Sequence, residues 1–266
     1  MSHILLLFLI LLGATWAATT IGAALVVFFK RGDGQMSHIM LGFAAGVMIV
    51  AVFMQLLVPA IEIAEEYFVI HAIFPVLGGF LAGCLTILFL DIFLAHLKKR
   101  REAEGLQGFR FKKSSMMVSA ISIHNLPEGF AVGVLIGTLG YNFQIEQLMS
   151  ILPVVTAIAL HNLPEGTVVS VSFQSEGLSK MKSFFMGQIA GLTEFIAGVL
   201  GFLVVINMDR ILPYVLAFSA GSMIWVAVHE LIPECQKNKE KHPYYATIGI
   251  IAGVAVMLVL SVFADA

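Results

Sequence analysis

An all-α, polytopic membrane fold is what this sequence predicts: eight transmembrane helices in a pseudo-symmetric 3+2+3 bundle, with both termini outside. Three observations carry that reading. Apolar residues make up 59% of the 266-residue chain against 12% charged, and mean hydropathy is +0.95, whereas a soluble domain usually carries about a quarter charged residues. Apolar stretches long enough to cross a bilayer core recur along the whole length. The basic residues, finally, fall almost entirely on one side of the implied spans.

The first apolar run, 4–29, has no basic residues ahead of it and is followed by Lys30 and Arg31. It is too long for the hydrophobic region of a signal peptide, so it reads as the first span. The second, 37–60, contains Ala45-Gly46-Val47-Met48-Ile49 and is expected to leave the membrane at Pro59 and Glu62. Spans at 72–97, 115–139, 147–173, 183–206, 211–232 and 244–264 follow, making one transmembrane domain over 1–266 with little room for anything else.

An even count puts both termini on one side. Of the 15 Lys and Arg, every one except Arg210 lies after span 1, 3, 5 or 7. The positive-inside rule makes that side cytoplasmic, including the long 98–113 loop. Glu62, Glu65, Glu66, Glu146, Asp209 and Asp265 mark the opposite side. Solvated loop ends account for them, and an acidic vestibule that concentrates cations is the second reading.

Faint internal repetition accompanies this. Ala45-Gly46-Val47-Met48-Ile49 resembles Ala220-Gly221-Ser222-Met223-Ile224 in span 7, with Gln55 falling opposite Glu230 in the same register. The matches run symmetrically about the middle of the chain, as inverted repeats do. Net charge is −2, which offers nucleic acid no basic field. The two cysteines, Cys84 and Cys235, form neither a disulfide framework nor a CxxC knuckle.

Ionisable residues at membrane depth are costly and mark function. Here they are Asp91, His124, Glu128, His161, Glu165, Glu194, His229 and Glu230. Four of them belong to two identical hexapeptides, His124-Asn125-Leu126-Pro127-Glu128-Gly129 and His161-Asn162-Leu163-Pro164-Glu165-Gly166. On a helix, His and Glu at i and i+4 share one face, and Asn at i+1 points about 100° away. Pro127 releases the carbonyl of Ile123 and Pro164 that of Leu160, because proline has no N–H to bond them. The following glycine admits close approach of another helix or an ion.

A single buried His–Glu pair is ordinarily a structural hydrogen bond. Two identical hexapeptides in adjacent spans are hard to explain that way. Facing one another, they supply two imidazoles, two carboxylates and two amide oxygens, a set that suits Zn2+. Glu128 and Glu165 are placed to bridge two ions. Glu194 is the natural additional ligand, in a run containing Gly187, Gly191, Gly198 and Gly201 that permits tight helix contact.

On these hexapeptides the chain resembles the ZIP (Zrt/Irt-like) metal transporters, most closely the ZupT-like branch with HN-x-PEG in both spans 4 and 5. The resemblance covers essentially the full length. It implies a binuclear site, with His124, Glu128, His161 and Glu165 around one ion. Asn125, Glu128, Asn162, Glu165 and Glu194 would hold the other. Met48 is implied as a further ligand of the first ion, with ordinary packing an equal alternative. Gln55 stands where relatives often carry His or Glu, and it brings no charge. His229 and Glu230 are implied pathway residues. Asp91 and His96 resemble an exit relay, although His96 reads equally as a snorkelling interfacial side chain. The 98–113 loop lacks the histidine-rich run of many relatives.

The implied function is transport of a divalent metal into the cytosol from outside or from a lumen, zinc foremost, with Cd2+, Fe2+ and Mn2+ admitted by the neutral Asn125 and Asn162. Alternating access by an elevator-like slide of spans 1, 4, 5 and 6 against 2, 3, 7 and 8 follows by analogy. A cell membrane, plasma or inner, is the expected location; a homodimer is admitted, and no catalytic cofactor is expected. Two alternatives from other classes stand beside this. An intramembrane zinc hydrolase would need HExxH-like chemistry, yet Asn follows each His and Glu sits at i+4. A metal channel or sensor would show non-saturating flux or binding without transport.

Overall fold

The structure is a computed structural model that describes residues 2–29, 34–103, 113–139, 145–175, 177–204, 209–236 and 244–264. Among them the secondary structure is entirely helical. The α-helices are α1 (Ser2–Ala24), α2 (Gly34–Ala51), α3 (Val58–Phe68), α4 (Ile73–Ala103), α5 (Lys113–Thr138), α6 (Ile145–Ser175), α7 (Lys180–Val204), α8 (Leu212–Val226), α9 (Ile232–Cys235) and α10 (Tyr245–Ala264). A π-helical turn at Val52–Leu57 joins α2 to α3, and a second at Ala227–Leu231 joins α8 to α9. Six of the helical stretches are long and apolar enough to cross a membrane. Lys30, Arg31, Arg110, Lys112, Lys237, Lys239, Lys241 and Asp265 lie outside the described residues.

The distribution of polarity is that of a protein whose solvent is lipid. Leu6, Ile10, Phe74, Phe89 and Leu203 are exposed on helix surfaces, while Thr15, Asn125, Glu128, Asn162 and Glu194 are fully buried. Helices satisfy their own backbone groups, so apolar residues can cover the outside and polar side chains can be held inside.

The helix continues through Pro59 to Phe68, past the expected membrane exit at Pro59 and Glu62. Pro59 follows the Val52–Leu57 π turn directly and sits in the first turn of α3. There its missing N–H costs little, because the hydrogen-bond register has just been reset.

The helices pack as pairs: α5 on α7, α1 on α6, α2 on α10 and α4 on α8. Within α1, α5, α6 and α7 there are further contacts of α1 and α6 with α7, while α5–α8 and α2–α6 connect the two sets. Glycines set the distance. A Cβ on Gly79 or Gly83 of α4 would strike the carbonyls of Tyr214 and Phe218, and one on Gly221 would strike that of Phe80. The α2–α10 pair repeats this in register: Gly249 and Gly253 meet the carbonyls of Ile39 and Phe43, and Gly46 meets that of Ile250.

That repetition is visible in sequence once the pairs are known. Gly79-Phe80-Leu81-Ala82-Gly83 matches Gly249-Ile250-Ile251-Ala252-Gly253, and the same register sets Asp91 against Ser261. Gln55 and Glu230 each fall inside a π turn. Gln55 Nε2 donates to Ser261 Oγ at 3.0 Å. Glu230 lies within the electrostatic field of Asp91. One joint is therefore built twice, with neutral polar groups in one copy and carboxylates in the other.

Candidate metal centre

The two hexapeptides lie inside α5 and α6, both of which run through their prolines. Their glycines are the points of closest approach to the neighbouring helices. A Cβ on Gly129 would overlap the backbone of Glu194 in α7, and one on Gly166 would overlap Thr19 in α1. Glycine here admits another helix, and that contact brings Glu194 to the level of the motifs.

Glu128, His161 and Glu165 offer ligand atoms that all lie within 4.8 Å of one another. His161 Nε2 and Glu128 Oε2 share a hydrogen bond of 3.0 Å, at 2% and 0% side-chain exposure. Glu165 lies within the field of both Glu128 and Glu194, so three buried carboxylates share one region. The interiors of α1, α5, α6 and α7 contain no Lys or Arg. Neutralisation at this depth has to come from histidine, from a bound cation or from protons on the carboxylates themselves, since uncompensated buried carboxylates are severely unfavourable.

The amides complete the picture. Asn162 Nδ2 donates to Glu194 Oε2 at 2.6 Å and to the Thr15 carbonyl at 3.4 Å. Asn125 Nδ2 donates to the Ala190 carbonyl at 3.3 Å. With the nitrogens so engaged, Asn125 Oδ1, Asn162 Oδ1 and Glu194 Oε1 are buried oxygens with no donor among the described residues. Buried acceptors normally find a donor, and an electropositive ion satisfies several at once.

The remaining sequence-derived residues fall into separate places. His124 lies on α5, and its side chain is outside the described residues. Met48 is buried on α2, which packs against α6. Gln55 has committed its amide nitrogen to Ser261. Asp91 Oδ2 accepts from Trp225 Nε1 at 3.0 Å, and the Trp225 ring lies 5.6 Å from that of His229. His96 is exposed near the C-terminal end of α4. Sequence reasoning did not single out Thr15, Thr19, Trp225 or Ser261. Only Ser261 left a trace, in the glycine register shared by α4 and α10.

A helical bundle with an apolar exterior and a buried centre of carboxylates, imidazole and amide oxygens is that of a multi-pass membrane protein with a group that could hold a cation. The family model described as ZIP Zinc transporter matches residues 105–261. The human protein named zinc transporter ZIP11 is 30% identical, covering 93% of this chain and 94% of its own. Zinc transporter ZupT of Corynebacterium aurimucosum is 32% identical over 91% of each chain. Zinc transporter ZIPB of Bordetella bronchiseptica is 32% identical over 93% of this chain and 78% of its own. The chain belongs to the ZIP family, which places it among metal transporters rather than enzymes.

Proposed function

We propose that the protein carries a divalent cation, zinc before Cd2+, Fe2+ or Mn2+, into the cytosol through a binuclear site between α5 and α6. The observation that carries this is the convergence of Glu128, His161 and Glu165 within 4.8 Å in a buried setting without lysine or arginine in the surrounding helix interiors. One ion is held by His124, Glu128, His161 and Glu165, with Met48 beside it. The second is held by Asn125, Asn162 and Glu194, with Glu128 and Glu165 bridging. The acceptor oxygens left without donors on Asn125, Asn162 and Glu194 support that second position.

Eight crossings with both termini outside agree with the basic-residue partition. The division of the helices into two packed sets (α1, α5, α6 and α7 against α2, α4, α8 and α10) supports an elevator-like movement of the first set. Gln55 stands toward one end of the route, and Asp91, His96, His229 and Glu230 toward the other. The host is a plasma or inner membrane, and a homodimer is compatible with the exposed apolar faces.

Purified protein in liposomes loaded with a zinc-sensitive dye tests this. Saturable uptake is expected, abolished by Glu128→Ala and by Glu165→Ala and competed by Cd2+. Unchanged uptake in either variant would mean the site is elsewhere, and non-saturating flux would favour a channel.

A further inference from the structure

The indole of Trp225 makes two contacts that its counterpart in the repeated joint cannot make. Its Nε1 donates to Asp91 Oδ2 across the α4–α8 interface at 3.0 Å, and its ring lies 5.6 Å from the imidazole of His229, tilted by 39°. In the α2–α10 joint the register places Val50 at this position, buried in one apolar cluster with Val47, Ala51 and Met257. That joint closes with the same glycine-to-carbonyl contacts and has no indole. The tryptophan is therefore not required to pack two helices of this design together. It occurs in the copy that carries Asp91 and Glu230, whose charges feel each other, and is missing from the copy that carries Gln55 and Ser261.

A carboxylate on a helix has free rotamers and two oxygens. An indole N–H that engages one of them fixes the plane of the group and directs the other. The same ring, stacked obliquely on an imidazole one helical turn away, restricts that side chain too. Packing and hydrogen bonds that lock the rotamers of ligands are what hold a cation site in register.

We propose that Trp225 is a positioning residue for a cation station between α4 and α8. It fixes the orientation of the Asp91 carboxylate and the His229 ring on the route that a divalent ion takes past Glu230 to or from the central site. This rests on the reading of Asp91, His229 and Glu230 as pathway residues.

The test uses full-length protein in liposomes and zinc alone as the probe. Trp225→Phe keeps a ring and removes the N–H. It is expected to lower the maximal uptake rate about tenfold, the scale of one hydrogen bond to a charged group, with the half-saturating zinc concentration little changed. Asp91→Asn should also be slow, and the double variant W225F/D91N no slower than D91N, because the two act as one unit. The chain has two tryptophans, so in a Trp16→Phe background the emission reports Trp225. Zinc should shift that emission, and D91N should abolish the shift. This second arm leaves the indole in place and stands even where W225F folds poorly.

Full uptake by W225F, losses that multiply in the double variant, or emission indifferent to zinc in a transporting protein each overturn the positioning role. A wild type that moves zinc together with a fully active D91N overturns the pathway reading beneath it. A wild type that moves no zinc overturns the proposed transport, and this inference with it.

Discussion

Asn162 and Glu194 are bound to each other at 2.6 Å across the α6–α7 interface, donor nitrogen to carboxylate oxygen. The bond orients both groups and leaves each with one buried oxygen that has no donor among the described residues. A side chain from one helix and a side chain from another thus present acceptors held in place before any cation arrives.

Glu194→Gln keeps the shape and removes the charge. Zinc stoichiometry by calorimetry is expected to fall from about two ions per chain to about one, as the proposed second position loses its only carboxylate outside the proposed bridging pair. Retention of both ions would remove Glu194 from the ligand set.

Acidification is expected to weaken zinc uptake. Metal and proton compete for the same lone pairs on His161, Glu128 and Glu165, so lower pH favours the protonated, metal-free site and higher pH the loaded one. Uptake measured across a pH series with no imposed gradient checks the sign. A rise toward acid pH would mean that protons do not compete with the metal at these groups.

Gly129→Ala and Gly166→Ala are expected to destabilise the protein by about 1–3 kcal/mol, the usual cost of overpacking, because each new methyl overlaps a neighbouring helix backbone. Gly13→Ala and Gly78→Ala meet nothing within 4 Å. They should be neutral or slightly stabilising, as alanine favours helix over glycine by about 1 kcal/mol. Melting temperatures in detergent separate the two pairs.

The bond between Gln55 and Ser261 should appear as coupling in a double-mutant cycle. Gln55→Ala and Ser261→Ala each lose it, and together they should cost less than their sum by about 0.5–1.5 kcal/mol. Additive losses would mean that the two side chains do not act together.

Part of the candidate centre was legible because its sequence is repeated: Glu128, His161 and Glu165, which the structure brings together, come from two identical hexapeptides, and Glu194 stands out as a lone acid in an apolar, glycine-rich run. The role of Gly129 and Gly166 followed from their place beside the ligands. The continuation of the helix past Pro59 to Phe68 was not legible, because the π turn that accounts for the proline's passage leaves no mark in the sequence. Trp225 was invisible because an aromatic residue in an apolar span looks like lipid-facing bulk. Its hydrogen bond to Asp91 exists only once α4 lies on α8. The Gly79 and Gly249 register was present in the sequence, but a match of glycines in apolar segments carries little weight until a contact gives it meaning.

The doubled joint has one more implication. A scaffold assembled from two copies of the same connection reads alike from either face of the membrane, as a palindrome reads alike from either end. Taken alone, such a joint has no intrinsic front or back. Within it, the two ends are made unequal by a handful of exchanges at matching places, Gln55 for Glu230, Ser261 for Asp91 and Val50 for Trp225, which add to the basic residues gathered on one side of the chain. Vectoriality here is a matter of spelling rather than of grammar.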